Sequence, residues 1–201
     1  MSIDHFAHKS KTWDMNSRRV KNAQSIATLI KAKAPLQPAM RIMDFGAGTG
    51  LLSYFIAPEV ESIVAVDSSP SMVEVFQEKS PSFACRTEVL LGDLMALDMD
   101  AESFDGIVSS MTLHHIKDID LLFQKFYLLL RQGGFIALAD LVQEDGTFHR
   151  DPQGVYHFGF DPEWLCEMAQ KAGFERVEWQ LASTIDKPHR SFDTFLLTAI
   201  K

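Results

Sequence analysis

The chain has only two cysteines in 201 residues, Cys85 and Cys166, and neither belongs to a C-x-x-C pair. That excludes a disulfide framework and leaves two small core residues in a reducing compartment. Positive charge is scarce too. With 19 Lys and Arg against 27 Asp and Glu the net charge is -8, whereas a phosphate-backbone partner needs clustered cations. The one basic cluster, Arg18-Arg19 with Lys21, reads as a solvated helix face, so no nucleic-acid partner is expected. Long apolar runs are also missing, since no stretch approaches the roughly 20 residues needed to span a bilayer. Residues 1–13 mix Asp4, His5, His8, Lys9 and Lys11 with single apolar residues, unlike a secretory signal. There is no internal repeat and no low-complexity tract. The expectation is a soluble, cytoplasmic protein.

What is present is enough apolar material, 46% of residues, for one sizeable core, with no composition shift to divide it. A single domain over 1–201 is expected, with an amino-terminal lid and helix over 1–34 and a core over 40–201. Val20, Ala23, Ile26, Ala27 and Ile30 recur at helical spacing between Asn16 and Ala34. Strands are expected at 40–45, 62–67, 88–91, 104–109 and 135–140, each followed by a helical pattern or a turn. The segment 62–67 is almost wholly apolar, as a strand buried on both faces should be. Ser68-Ser69-Pro70 caps and starts a helix. Another helix runs from Ile119 to Leu130, with Gly133-Gly134 as its stop signal. Alternating strands and helices mean βαβ units and an open parallel sheet covered on both faces. Residues 176–181 and 192–200, joined by a turn through Pro188, are expected to pair antiparallel.

In open α/β sheets, ligands bind beyond the carboxyl ends of the strands. Here those ends carry Asp44 with Gly46, Gly48 and Gly50; then Asp67; Gly92 with Asp93; Ser109 through His115; and Asp140. They are mostly acidic, and no Lys or Arg lies among them, which argues against a phosphate ligand. Asp67 lies about twenty residues past Gly46, where a carboxylate accepts both hydroxyl hydrogens of a ribose; a plain helix-cap aspartate is the alternative. Asp93 is a candidate to accept from an adenine amino group, with a plain turn residue as the alternative. A dinucleotide fingerprint would put its third glycine where Leu51 stands, and this chain has Gly46-x-Gly48-x-Gly50 instead. The joint pattern points to a nucleoside without a pyrophosphate.

On these residues the chain resembles the class I S-adenosylmethionine-dependent methyltransferases, in particular the small-molecule enzymes similar to those of quinone biosynthesis. The resemblance rests on Asp44-Phe45-Gly46-Ala47-Gly48-Thr49-Gly50, on Asp67, on Gly92-Asp93-Leu94, and on Phe104-Asp105 through Ser109 and His114. It implies a Rossmann-like three-layer α/β/α sandwich whose seven-stranded, mostly parallel sheet has its last strand antiparallel. It implies S-adenosyl-L-methionine as cofactor and S-adenosyl-L-homocysteine as product. Gly46 and Gly48 would pass beside the methionine part, and Asp67 would hold the ribose. Met72 would pack on the adenine, Asp93 and Leu94 would contact its edge, and Ser109 to Met111 would flank the sulfonium. Asp44, Ala47, Gly50, Ser68 and Gly92 complete the implied cofactor shell.

Methyl transfer mostly asks the protein to align the acceptor and exclude water. Where the acceptor must lose a proton a base helps, and His114 is the candidate, with His157 second. Adjacent histidines rarely converge on one ion, and no cysteine or third ligand accompanies His114-His115, so no metal is expected. The small-molecule acceptor is expected beneath residues 146–160 and the amino-terminal lid, against Trp13, Met111, His114, Tyr156 and His157, with Phe158 and Phe160 adding apolar surface. Two other readings stay open: a nicotinamide-dependent oxidoreductase, disfavoured by Leu51, and a methyltransferase-like binding or regulatory protein without turnover.

Overall fold

A computed structural model describes residues 4, 6–149 and 151–201. Seven strands form one sheet: β1 (Arg41–Phe45), β2 (Ser62–Asp67), β3 (Arg86–Leu91), β4 (Phe104–Ser110), β5 (Leu130–Leu141), β6 (Glu175–Lys187) and β7 (Arg190–Ile200), in the order β3-β2-β1-β4-β5-β7-β6. The first five are parallel, and β7 runs antiparallel to both β5 and β6. Strands β2 and β3 are laid down on one side of β1, and β4 and β5 on the other. The reversal leaves a crevice beyond the carboxyl ends of β1 and β4, where ligands of such sheets bind.

The side-chain alternation of each strand builds two cores. On one face Ile42, Ile63 and Ala65 meet α1 (Ser17–Lys33), α2 (Leu51–Ile56) and α3 (Pro70–Lys79) through Ile26, Ile30, Leu52, Ile56 and Phe76. On the other, Met43, Phe45, Val64 and Val66 meet α4 (Ile119–Leu129) and α5 (Pro162–Lys171) through Leu122, Phe123, Phe126 and Leu165. The result is the expected three-layer sandwich. Side-chain caps fix four of the helices: Asn16 accepts from Arg18 and Arg19, Ser69 from Met72, Asp118 from Leu121 and Asp161 from Glu163. Each satisfies amides that the first turn leaves unpaired.

Two boundaries differ from expectation. Gly133-Gly134 does not stop α4; the helix ends at Leu129, and Leu130 already pairs with Phe104 as the start of β5. The glycines sit instead inside β5, where Gly133 takes a φ of +76° and a Cβ on Gly134 would meet the Arg131 carbonyl at 2.8 Å. The terminal hairpin is also longer than its apolar alternation suggested, with register shifts in β6 and a two-residue tip at Pro188 and His189.

Phe126 is fully buried and lies edge-to-face against Phe45 at 5.3 Å. Truncating it leaves a cavity between α4 and the middle of the sheet. Phe126→Ala is expected to lower unfolding free energy by about 3–5 kcal/mol, read as a lower urea midpoint at unchanged slope.

Candidate cofactor and acceptor site

The glycine turn after β1 is fixed by its neighbours. Gly46 and Ala47 donate their amides to the Val66 carbonyl, at 2.8 and 3.2 Å, and Gly50 closes the turn on the Ala47 carbonyl at 2.9 Å. Gly46, Gly48 and Gly50 all adopt positive φ, which glycine does without a Cβ penalty. Space demands glycine at two of them: a Cβ on Gly46 would stand 2.1 Å from Thr112, and one on Gly50 2.7 Å from Phe76. Gly48 is different. Only the Met72 sulfur comes within reach of its Cβ position, at 4.0 Å, so the backbone there faces open space and a ligand can approach it closely.

Asp67 binds this turn to the start of α3. One carboxylate oxygen accepts the Gly48 amide at 2.7 Å and the other the Ser69 amide at 2.8 Å. Burial raises its pKa above the ordinary carboxylate value, and the two amides work against that rise. Each oxygen keeps lone-pair capacity for another donor. Beneath the turn, Asp44 is buried and accepts the Ser53 hydroxyl at 2.6 Å. Burial pushes it up to about 7, with the Asp67 charge adding to the shift.

The remaining cofactor candidates divide. Met72 is buried beside Gly48, whereas Ser68 is exposed on the rim. Asp93 is exposed at the end of β3 and caps its own turn by accepting the Met95 amide at 2.9 Å, just after Gly92, whose amide reaches the Asp67 carbonyl. Leu94 is 1% exposed and belongs to the core under β1 and β2. Ser109 is fully buried and donates to the Phe45 carbonyl at 2.7 Å, tying β4 to β1. Met111 has a φ of +60° at the exit of β4, the kind of strained position that clusters at functional sites.

The other end of the crevice is built from imidazoles. His114 is 2% exposed, and its Nδ1 lies 2.7 Å from Asp140, which also accepts the His114 and Leu141 amides. Burial alone would raise the Asp140 carboxyl, but the His114 charge and these hydrogen bonds carry it below the ordinary value. Asp140 is therefore placed to take the Nδ1 hydrogen, which leaves Nε2 as the other nitrogen of the ring. The His115 ring packs 4.2 Å from His114, and its Nδ1 meets the Gly154 carbonyl at 2.6 Å. His149, a residue without any sequence signal, brings a third ring to 4.8 Å from His114.

His157 stands apart from this group. Its Nε2 lies 3.0 Å from the Ile116 carbonyl, in a depression shared with Lys117, Asp120 and Trp164. Its backbone, with that of Tyr156, instead donates to the His114 carbonyl. The Tyr156 and Phe158 rings are exposed and Phe160 is in the core, so the loop meets the imidazoles through His149 and its own backbone.

The described part of the amino-terminal segment lies across both ends. Asp4 accepts from the Ser69 hydroxyl and the Ser71 amide, while Asp14 accepts the Thr49 hydroxyl at 2.6 Å and pairs with Lys79, which also donates to the Thr49 carbonyl. Trp13 is covered by the Arg19 guanidinium at 3.6 Å, and Phe6 bridges edge-to-face from Trp13 to His115 at 5.8 Å each. A lysine thus reaches the glycine turn, but as a partner of Asp14.

A doubly wound sheet with a glycine turn at its switch point and a carboxylate on the neighbouring strand end defines an α/β ligand-binding protein. Residues 42–134 match the methyltransferase-domain family. An uncharacterised methyltransferase of Schizosaccharomyces pombe is 32% identical over 155 residues, covering 69% of this chain and 55% of that one. Demethylmenaquinone methyltransferase of Streptomyces griseus is 24% identical over 177 residues, 75% of each. The chain spans about half the length of the first of these relatives. The structure of phosphoethanolamine N-methyltransferase 2 of Haemonchus contortus in complex with S-adenosyl-L-methionine superposes with a TM-score of 0.75 at 19% identity, over 100% of this chain and 60% of that one. Residues 42–134 of this chain thus carry a methyltransferase domain, and the chain has the class I methyltransferase fold.

Asp44 yields a pH test. Its pKa rises from an ordinary 3.8 to about 7 on folding, so the folded state holds the proton more tightly. Its contribution to stability is fully present below the unfolded value and is lost as pH climbs through about 7. Asp44→Asn, which keeps an acceptor for Ser53, is expected to flatten the decline in melting temperature between pH 5 and pH 8.

Proposed function

We propose that this protein transfers a methyl group from S-adenosyl-L-methionine to a small, partly hydrophobic molecule and releases S-adenosyl-L-homocysteine. The observation that carries this reading is the Gly48 backbone, open on its outer side and held in place by the Asp67 carboxylate at 2.7 Å. The residues present fit such a nucleoside: the turn admits close approach at Gly48, Met72 supplies an apolar surface, and the Asp67 oxygens retain capacity for a ribose diol. Asp93 at the end of β3 is the partner for the adenine edge, while Leu94 supports that wall from the core.

When bound, S-adenosyl-L-methionine supplies an activated methyl group on a sulfonium centre. The protein's part is to position and to keep water out. Met111 and Thr112, on the strained exit of β4, stand between the glycine turn and His114. Where the accepting atom carries a proton, His114 Nε2 takes it, with Asp140 holding the ring and stabilising its charge. The described amino-terminal segment, through Asp14, Trp13 and Phe6, covers the crevice. A net charge of -8 and two unpaired cysteines favour a cytoplasmic small-molecule enzyme. Relatives named for a quinone precursor and for phosphoethanolamine differ so much in acceptor chemistry that the acceptor has to be read from this chain's own residues.

Isothermal calorimetry with S-adenosyl-L-homocysteine tests the reading. Wild type is expected to bind, and Asp67→Ala to weaken binding by about 10- to 100-fold, the cost of losing hydrogen bonds to a charged group, with its far-ultraviolet circular dichroism retained. Wild type that binds NAD in preference to S-adenosyl-L-homocysteine would overturn it.

A further inference from the structure

His149 has the one ring nitrogen among the described residues that is buried with no hydrogen-bond partner: its Nε2. A stranded buried polar atom is uncommon and calls for an explanation. The ring is wedged between Phe148 at 4.8 Å, His114 at 4.8 Å and His115 at 5.9 Å, so its loose atom belongs to the same end of the crevice as the His114 base. The segment that carries it is held firmly. Glu144 accepts the Thr147 and Phe148 amides, Lys187 of β6 donates to the Phe148 carbonyl and covers its ring, and Arg190 of β7 pairs with Asp145.

The charges bearing on the ring are one-sided. Burial, then His114, His115 and Lys187, push its pKa down to about 4, with only Asp140 pulling the other way. Asp140 is already committed to the His114 ring and to two amides. An ammonium group brought beside the ring would meet the Lys187 charge, and the one carboxylate that bears on the ring is the committed Asp140. A third imidazole also reopens the metal question, but no three His, Cys, Asp or Glu side chains among the described residues are arranged to hold one ion.

We propose that His149 is an acceptor-recognition residue, which gives its Nε2 to an uncharged acceptor bearing a protic heteroatom and disfavours protonated amines. This rests on the methyl-transfer reading above. The accepting atom faces His114, and His149 holds either that group or one next to it, so that the acceptor arrives already hydrogen-bonded and dry.

Two probes share a ring and differ in this chemistry: 4-methylphenol, neutral and protic, and 4-methylbenzylamine, cationic at neutral pH. Calorimetry on protein saturated with S-adenosyl-L-homocysteine is expected to show 4-methylphenol binding at least about tenfold more tightly than the amine, as a site with an unmet hydrogen bond discriminates. His149→Phe is expected to weaken the phenol by a similar factor at unchanged S-adenosyl-L-homocysteine affinity, which also shows that the variant folds, and His149→Gln to recover part of the loss. Equal phenol affinity in His149→Phe, no phenol binding by wild type, or an amine that binds as well as the phenol would overturn the proposal. Failure of the cofactor analogue to bind wild type would instead sink the methyl-transfer reading, and the two probes on the free protein still test His149.

Discussion

The Asp67 carboxylate holds the site together. By accepting Gly48 on one oxygen and Ser69 on the other, it joins the end of β2 to the turn after β1 and to the residue that caps α3. The turn and the β2–α3 junction lie 19 positions apart in the chain, and a hydrogen bond to a charged partner is among the stronger local ties a protein has. The glycine conformations at 46, 48 and 50 are costly in chain entropy and persist because this carboxylate and the Val66 carbonyl specify them. The same contacts place a carboxylate beside an open backbone, so the group that orders the turn also borders its accessible side.

Much of the scaffold could be read from the sequence because its signals are local. Near-continuous apolar strands mark the parallel part of the sheet, and Ser69-Pro70 and Asp161-Pro162 announce helix starts through groups two or three residues apart. What escaped was decided at a distance. Leu130 leaves α4 and becomes strand because Phe104 is there to pair with it, and nothing near Leu130 says so. The length of β6 likewise depends on β7, since an edge strand with one wet face carries a weak pattern of its own.

The site shows the same division. Asp67 and the glycines were legible because a turn of that kind has a composition. His149 was not, since a lone histidine in a polar loop has no periodicity, and its meaning comes from a pKa of about 4 and from rings supplied by another segment. Their position in the motif predicts that Leu94 and Ser109 face the ligand, whereas their burial and, for Ser109, a bond to Phe45 make them part of the support. The pairing of Asp14 with Lys79 crosses 65 positions, beyond anything a spacing argument reaches.

The terminal hairpin has a role that its edge position hides. The residues flanking its tip, Lys187 and Arg190, grip the 145–148 loop, while the glycine turn is assembled from β1, β2 and α3 without touching the hairpin. The two halves of the crevice are therefore mechanically separate parts, one inherited with the sheet and one hung from the last two strands. A lineage can exchange the hairpin and its loop without rebuilding the glycine turn.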